Sequence, residues 1–209
     1  MQKSALRKGS IERDDVIAAA LKLLGPNRGV STLSLREVAR EAGIAPNSFY
    51  RHFRDMDELA VALIDLAGGT LRQIIREARL RVSAGGEVVR PSVETFMEQL
   101  GSDDKLLHIL LREGSVGSDA FKRAVDRELR HFEDELRDDL IRLSQVDWPM
   151  AYQPALVSKA ITRLVFAMGA TAMDLPPEQR KQITAQTVEM VRMIVIGAQA
   201  LARDVQPPR

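Results

Sequence analysis

In this 209-residue chain the groups best able to do chemistry cluster in Pro46-Asn47-Ser48-Phe49-Tyr50-Arg51-His52. Arginine can donate two parallel hydrogen bonds to guanine, asparagine can pair with adenine, and serine suits either. Tyrosine and histidine donate readily to phosphate oxygens. Only Phe49 and Phe53, four residues apart, are apolar, so a helix here would be anchored by two rings and would present its polar side chains outward. A plain helical hairpin is the alternative, although its helix would carry more apolar residues. Other chemistries find little support. The three histidines, His52, His108 and His131, show no H-E-x-x-H or comparable ligand spacing, so no metal site is expected. Neither G-x-x-x-x-G-K nor G-x-S-x-G occurs. Without cysteine there is no disulfide, thiolate site or thiol nucleophile. No catalytic residue and no cofactor is expected, and the chain does not read as an enzyme. Asp138-Asp139 should lie on a solvated helix face. His108, in an apolar run, reads as a core or pocket-lining residue, and Arg112-Glu113 as a surface ion pair or the contact for a ligand's polar head.

Charge is distributed unevenly. Residues 1–54 carry ten Lys/Arg against five acids, and residues 55–209 carry 20 against 24. A basic head on a mildly acidic body suits a nucleic-acid-binding module joined to one that avoids phosphate; uneven but harmless surface charge is the bland alternative. Apolar residues make up 45% of the chain, enough for a substantial core. The N-terminus lacks a signal-like apolar run, and the longest nearly apolar stretch, Leu164 to Met173, falls short of the roughly 20 residues a bilayer needs. A cytoplasmic protein without membrane association is the expectation.

The elements that must position the polar segment all read as helices, giving an all-α fold. Val16, Ile17, Ala20, Leu21 and Leu24 make one face of a first helix, ended by the breakers Gly25 to Gly29. Ser34 and Glu37 form a capping box for a second helix, which stops at Ala42-Gly43. Pro46 suits the first turn of a third, running to Phe53. Asp55 and Glu58 cap a long fourth helix, with Leu59, Leu63, Leu66, Thr70, Ile74, Ala78 and Val82 as its stripe up to Gly85-Gly86, about 42 Å at ~1.5 Å per residue. A helix begins near Pro91, and another holds Leu106 to Leu111. Ser118 can cap a helix with the stripe Phe121, Val125, Leu129, Phe132, Leu136, Leu140 and Leu143. After a loop marked by Trp148-Pro149 and Pro154 come two more helices, Ala155 to Thr171 and Glu178 to Arg203. Both are apolar on more than one face, as central core helices or helices packed on another chain would be. Two short helices joined by a turn at Gly43 describe a helix-turn-helix, whose second helix enters the major groove. The domains expected are 1–54, for DNA binding, and 55–209.

The stretch from Leu33 to Leu59 resembles the DNA-binding domain of the TetR family of repressors in Ala39, Gly43, Tyr50, His52 and Phe53. Together with Leu110 to Phe132, it is similar to FabR/DesT-like repressors of unsaturated fatty acid synthesis. The resemblance implies a homodimer on pseudo-palindromic double-stranded operator DNA. It implies that Arg36, Pro46, Asn47, Ser48 and Arg51 face base edges, that Tyr50 and His52 grip phosphates, and that Ser34 lies at the same surface. Many family members carry a phosphate-binding lysine just inside the fourth helix, where this chain has Met56; backbone N–H groups there or Arg54 are the substitutes.

For residues 55–209 the resemblance implies a helical effector-binding and dimerisation domain, and within it an apolar tunnel for a long acyl chain, carried as a thioester of coenzyme A or acyl carrier protein. The expected walls are Phe96, Met97, Leu100, Leu107, Leu111, Phe121, Val125, Phe132, Phe166 and Met168; Met and Phe adapt well to a flexible guest, though each is also at home in a plain core. The alternative is a regulator of efflux or catabolism that senses a different apolar small molecule. A helical enzyme or carrier would not need the basic head, and an architectural DNA-binding protein would not need residues 55–209.

Overall fold

The computed structural model describes residues 11–25, 28–81, 88–100, 108–111, 118–144 and 153–205. The readings placed on Val82, Gly85-Gly86, Leu106, Leu107, Arg112-Glu113 and Trp148-Pro149 lie outside them. Among the described residues there is no β-strand, and one backbone pair, Gly25 with Arg28, bridges the turn after the first helix.

The N-terminal helices are α1 (Arg13–Leu23), α2 (Leu35–Glu41) and α3 (Pro46–Phe49), with a single 3-10 turn at Val30–Thr32. A Glu12–Asp15 capping box starts α1. The expected Ser34–Glu37 box starts α2. At its end Gly43 adopts a left-handed φ of 70°, Gly43 N–H donates to Arg40 O and Ile44 N–H to Ala39 O. This paired closure satisfies the last carbonyls of α2 and turns the chain sharply, which a residue without Cβ does at least cost. Helix α3 is shorter than expected, ending at Phe49 rather than Phe53. Beyond it Arg51 N–H turns back to Ser48 O and His52 N–H to Phe49 O, so the segment stays coiled but tightens.

Helix α4 (Met56–Arg81) spans about 39 Å. Its buried stripe is Leu59, Leu63, Ala67, Leu71, Ile75 and Ala78, while Leu66 is exposed and Thr70 and Ile74 are half-buried. The expected stripe drifted because it followed the larger side chains; the helix instead turns its small residues Ala60, Ala67 and Gly68 inward, which brings neighbours close. Then follow α5 (Val89–Gln99), α6 (Asp119–Ser144), α7 (Pro154–Ala172) and α8 (Pro177–Val205), and residues 108–111 are also helical. By length and composition α7 is apolar enough to cross a membrane, longer than the Leu164–Met173 stretch suggested, because Lys159 and Arg163 interrupt its sequence but not its helix. Val157 and Ile161 are buried where it packs between α6 and α8.

Helix α4 packs on α1, α5 and α6, and one continuous core runs from Val16 and Phe49 in the head through Leu63 and Leu71 to Phe96, Phe132 and Val191. The N-terminal head and the helices behind it thus share α4 as a wall.

Candidate nucleic-acid interface and effector cavity

In the head, Phe49 and Phe53 are fully buried with ring centroids 5.8 Å apart, and they hold the α3 segment against α1, α2 and α4. The opposite side presents Pro46, Asn47, Tyr50 and Arg51, all exposed, with Ser48 and His52 half-buried at its flanks. Ser34 and Arg36 are exposed on α2. Tyr50 stands edge-on to Phe49, ring centroids 5.9 Å apart, with 60% of its surface open to solvent. The result is one polar, hydrogen-bonding face carried by a short helix, a form able to enter a major groove.

Ionic contacts brace this face from behind. Ser34 N–H and Oγ both donate to Glu37 Oε2, at 3.1 and 2.6 Å, and Arg28 donates to Glu37 Oε1 at 2.5 Å. These bonds, the Ser34 hydroxyl first and then Arg28, hold the Glu37 carboxyl down at about 2 against an ordinary 4.5. At the start of α4 the capping differs from the expected box. Asp55 Oδ1 accepts Glu58 N–H at 2.8 Å, but Glu58 reaches past Asp55 to accept Arg54 N–H at 2.9 Å and Arg54 Nε–H at 3.0 Å. Arg13 lies 4.4 Å above the Phe53 ring and 4.0 Å from Glu58, tying α1 to the same corner. Met56 is half-buried and packs on the core. Of its two expected substitutes, the helix-start N–H of Glu58 is already taken by Asp55, whereas the Arg54 side chain, two residues beyond His52, is 87% exposed.

Behind the head, α4 to α8 enclose an apolar cavity of about 120 Å³. Phe96, Phe132 and Phe166 meet there, with Phe166 5.1 Å from each of the other two rings. Of the other expected walls, Met97, Leu100, Phe121 and Val125 are buried away from the lining, and Leu111 and Met168 are half-buried outside it. Residues that sequence reasoning missed complete the wall, Ile75, Val93, Ile161 and Val195 among them. Their helical periodicity marks them as core, and nothing in it distinguishes a core position from a cavity wall.

One pole of the cavity is charged. Arg79 and Asp139 line it, with Arg79 Nε 2.7 Å from Asp139 Oδ2. Asp139 was expected on a solvated face, and its neighbour Asp138 does lie outside. The α6 helix turns Asp139 inward because it sits one turn after Leu136 and two after Phe132, both of which line the cavity, and Arg79 of α4 meets it. Burial pulls the Arg79 guanidinium below its ordinary value, against the opposing pull of Asp139 and Glu135. Among the described residues, no group of three or more His, Asp or Glu is placed to hold a metal.

A short, polar, ring-anchored helix set by a Gly43 turn on a basic head defines a helix-turn-helix domain of the DNA-binding kind. Residues 16–63 match the family described as "Bacterial regulatory proteins, tetR family". The fold beyond the head is shared with solved structures. They include the multidrug binding protein EbrR complexed with imidazole (TM-score 0.67, 18% identity, 88% of this chain and 94% of that one). FadR of Thermus thermophilus, a TetR-family repressor in complex with lauroyl-CoA, is similar as well (0.65, 19%, 88% and 93%). So is AibR in complex with isovaleryl coenzyme A and operator DNA (0.60, 16%, 86% and 97%).

Proposed function

We propose that this regulator is a cytoplasmic repressor that binds a pseudo-palindromic operator as a two-fold dimer and answers to an acyl ligand in the cavity behind its head. The reading rests chiefly on the aromatic cavity whose wall includes Ile75 and Arg79 of α4, the helix that also packs against the head. A guest that favours one arrangement of α4 over another changes the spacing of two reading heads, and only such differential affinity can alter DNA binding. Dimerisation is supported by the exposed apolar side chains Met193, Ile196 and Leu201 on α8 and Leu156 on α7. Two heads must reach successive major-groove turns about 34 Å apart.

The guest we favour is a long acyl chain carried as a thioester of coenzyme A or acyl carrier protein, with genes of unsaturated fatty acid synthesis as targets. The FabR/DesT-like wording of the sequence supports it, and two similar folds bind acyl-CoA. The second reading is a regulator of efflux or catabolism that senses a smaller apolar molecule. The cavity volume favours it: about 120 Å³ compares with the ~150 Å³ of an engineered cavity that admits benzene, so a long chain must widen this one. The test is a gel shift on the DNA upstream of the protein's own gene, titrated with saturated and unsaturated acyl thioesters and with free fatty acids. Release or tightening by thioesters supports the acyl reading. Unchanged affinity across the panel, with no rise in melting temperature, leaves the DNA-binding regulator and removes the acyl sensor.

A further inference from the structure

Arg79 belongs both to the cavity and to a row of ion pairs between α4 and α6. Along that row Arg72 pairs with Glu128 and, at 3.4 Å, with Glu135. Arg76 pairs with Glu135 at 2.7 Å, Arg79 with Glu135 at 3.8 Å and with Asp139 at 2.7 Å, and Arg142 with Asp139 at 2.5 Å. Four arginines thus share three carboxylates. Each carboxylate that Arg79 touches has another cation: Glu135 keeps Arg76 and Arg72, and Asp139 keeps Arg142. Arg79 itself is the poorly served member. Its side chain is only 12% exposed, and its Nε–H makes no hydrogen bond, because Asp139 Oδ2 is close but badly aligned. A buried N–H of this kind is costly to leave unmade. It is also the only cation on the wall of a cavity whose other surface is almost wholly apolar.

We propose that Arg79 is the specificity-determining residue of the cavity: it leaves Asp139 to take the acyl oxygens of the guest, a carboxylate in preference to a thioester carbonyl. The surplus positive charge of the row is what favours the carboxylate, which guanidinium binds in a two-bond fork. Surrendering Arg79 costs the row little, since Asp139 and Glu135 remain neutralised. The inference rests on the cavity being the effector site; it concerns the head of the guest rather than its chain, and it favours the free acid over the thioester as the form held there.

The test measures binding of octanoate, octanol and octanoyl-coenzyme A to the full-length protein by calorimetry, for the wild type, Arg79→Gln and Asp139→Asn. Octanoate should bind the wild type at least 10-fold more tightly than octanol. Arg79→Gln should weaken octanoate at least 10-fold and octanol less than 2-fold, with helix content checked by circular dichroism. Asp139→Asn, which removes the competitor for Arg79, should tighten octanoate several-fold, a gain that damage to the fold cannot produce. Thioester binding that also falls in Arg79→Gln supports the same contact with the thioester as source. Octanoate binding indifferent to both substitutions overturns the inference and leaves the acyl reading of the cavity standing, whereas thioester binding indifferent to Arg79 beside weakened octanoate supports the preference for a carboxylate. If none of the three compounds binds, the cavity is not an acyl site and both fail.

Discussion

The carboxylate of Glu128 on α6 occupies the space that a side chain on Gly68 of α4 would need: a Cβ at position 68 would lie 2.6 Å from Glu128 Cδ and 2.7 Å from its Cγ. Glu128 is 3% exposed and is held there by Arg72, one turn further along α4. Glycine in mid-helix ordinarily costs about 1 kcal/mol relative to alanine. Here it allows a buried carboxylate to cross between two helices. Gly68→Ala should therefore destabilise the protein, by about 2 kcal/mol or more, because displacing one partner of a buried pair outweighs the propensity gain. Gly69→Ala is the control. Its added Cβ meets nothing nearer than Arg72 Nη2 at 3.9 Å, and it should raise stability by about 1 kcal/mol. Thermal melts of the two variants should move in opposite directions; a rise in both would show that Glu128 adjusts freely.

The brace on Glu37 predicts a pH dependence. Its folded-state pKa is depressed to about 2 from 4.5, so its stabilising contacts are fully present above 4.5 and are lost as pH falls toward about 2. Glu37→Gln should melt below wild type at neutral pH, and the gap should close as the solution is acidified through that window. A gap of constant size down to the acid end would mean that the Ser34 and Arg28 bonds are not maintained in solution.

Reading and gripping should separate in DNA binding. Arg36 is exposed on α2; as a reader of a base edge, the role proposed for it, its loss in Arg36→Ala should cost roughly 1–3 kcal/mol on operator and relax sequence preference. His52→Ala should weaken binding to all sequences alike and flatten its salt dependence, as loss of a phosphate contact does. Gel shifts at several salt concentrations distinguish the two. Wild-type behaviour from both variants would place the reading face elsewhere.

The apolar side of α8 should hold the dimer together. Met193 and Ile196 are 69% and 63% exposed and lie one turn apart. Ile196→Glu would bury a charge in an apolar contact and should yield a single-chain mass by sedimentation at micromolar concentration, where the wild type gives twice that mass. Single-chain mass in the wild type itself would remove the two-fold reading.

Several features of the head were legible from local spacing, although the end of α3 and the cap of α4 were not. The Ser34–Glu37 box, the Gly43 turn and the Phe49–Phe53 anchor are local devices, decided by atoms within a few residues of one another, so spacing alone specifies them. The all-helical class followed for the same reason, since the 3.6-residue period of apolar residues is a property of each segment by itself. What tertiary structure decided lies between helices. The stripe of α4 rotated toward Ala67 and Gly68 because its small residues admit α6, a choice invisible in a segment that also offers Leu66. Glu128 reads as a polar interruption in an apolar stripe until Gly68 and Arg72, 60 and 56 positions away, are brought against it. Asp139 looks solvated beside Asp138 until Arg79 of α4 meets it at one pole of the cavity. Three of the expected cavity residues, Phe96, Phe132 and Phe166, converge on one point, and others of equal apolarity fill the core around them. Hydrophobicity determines that a side chain is buried, but whether it faces a neighbour or an empty space depends on where five helices from distant parts of the chain come to rest.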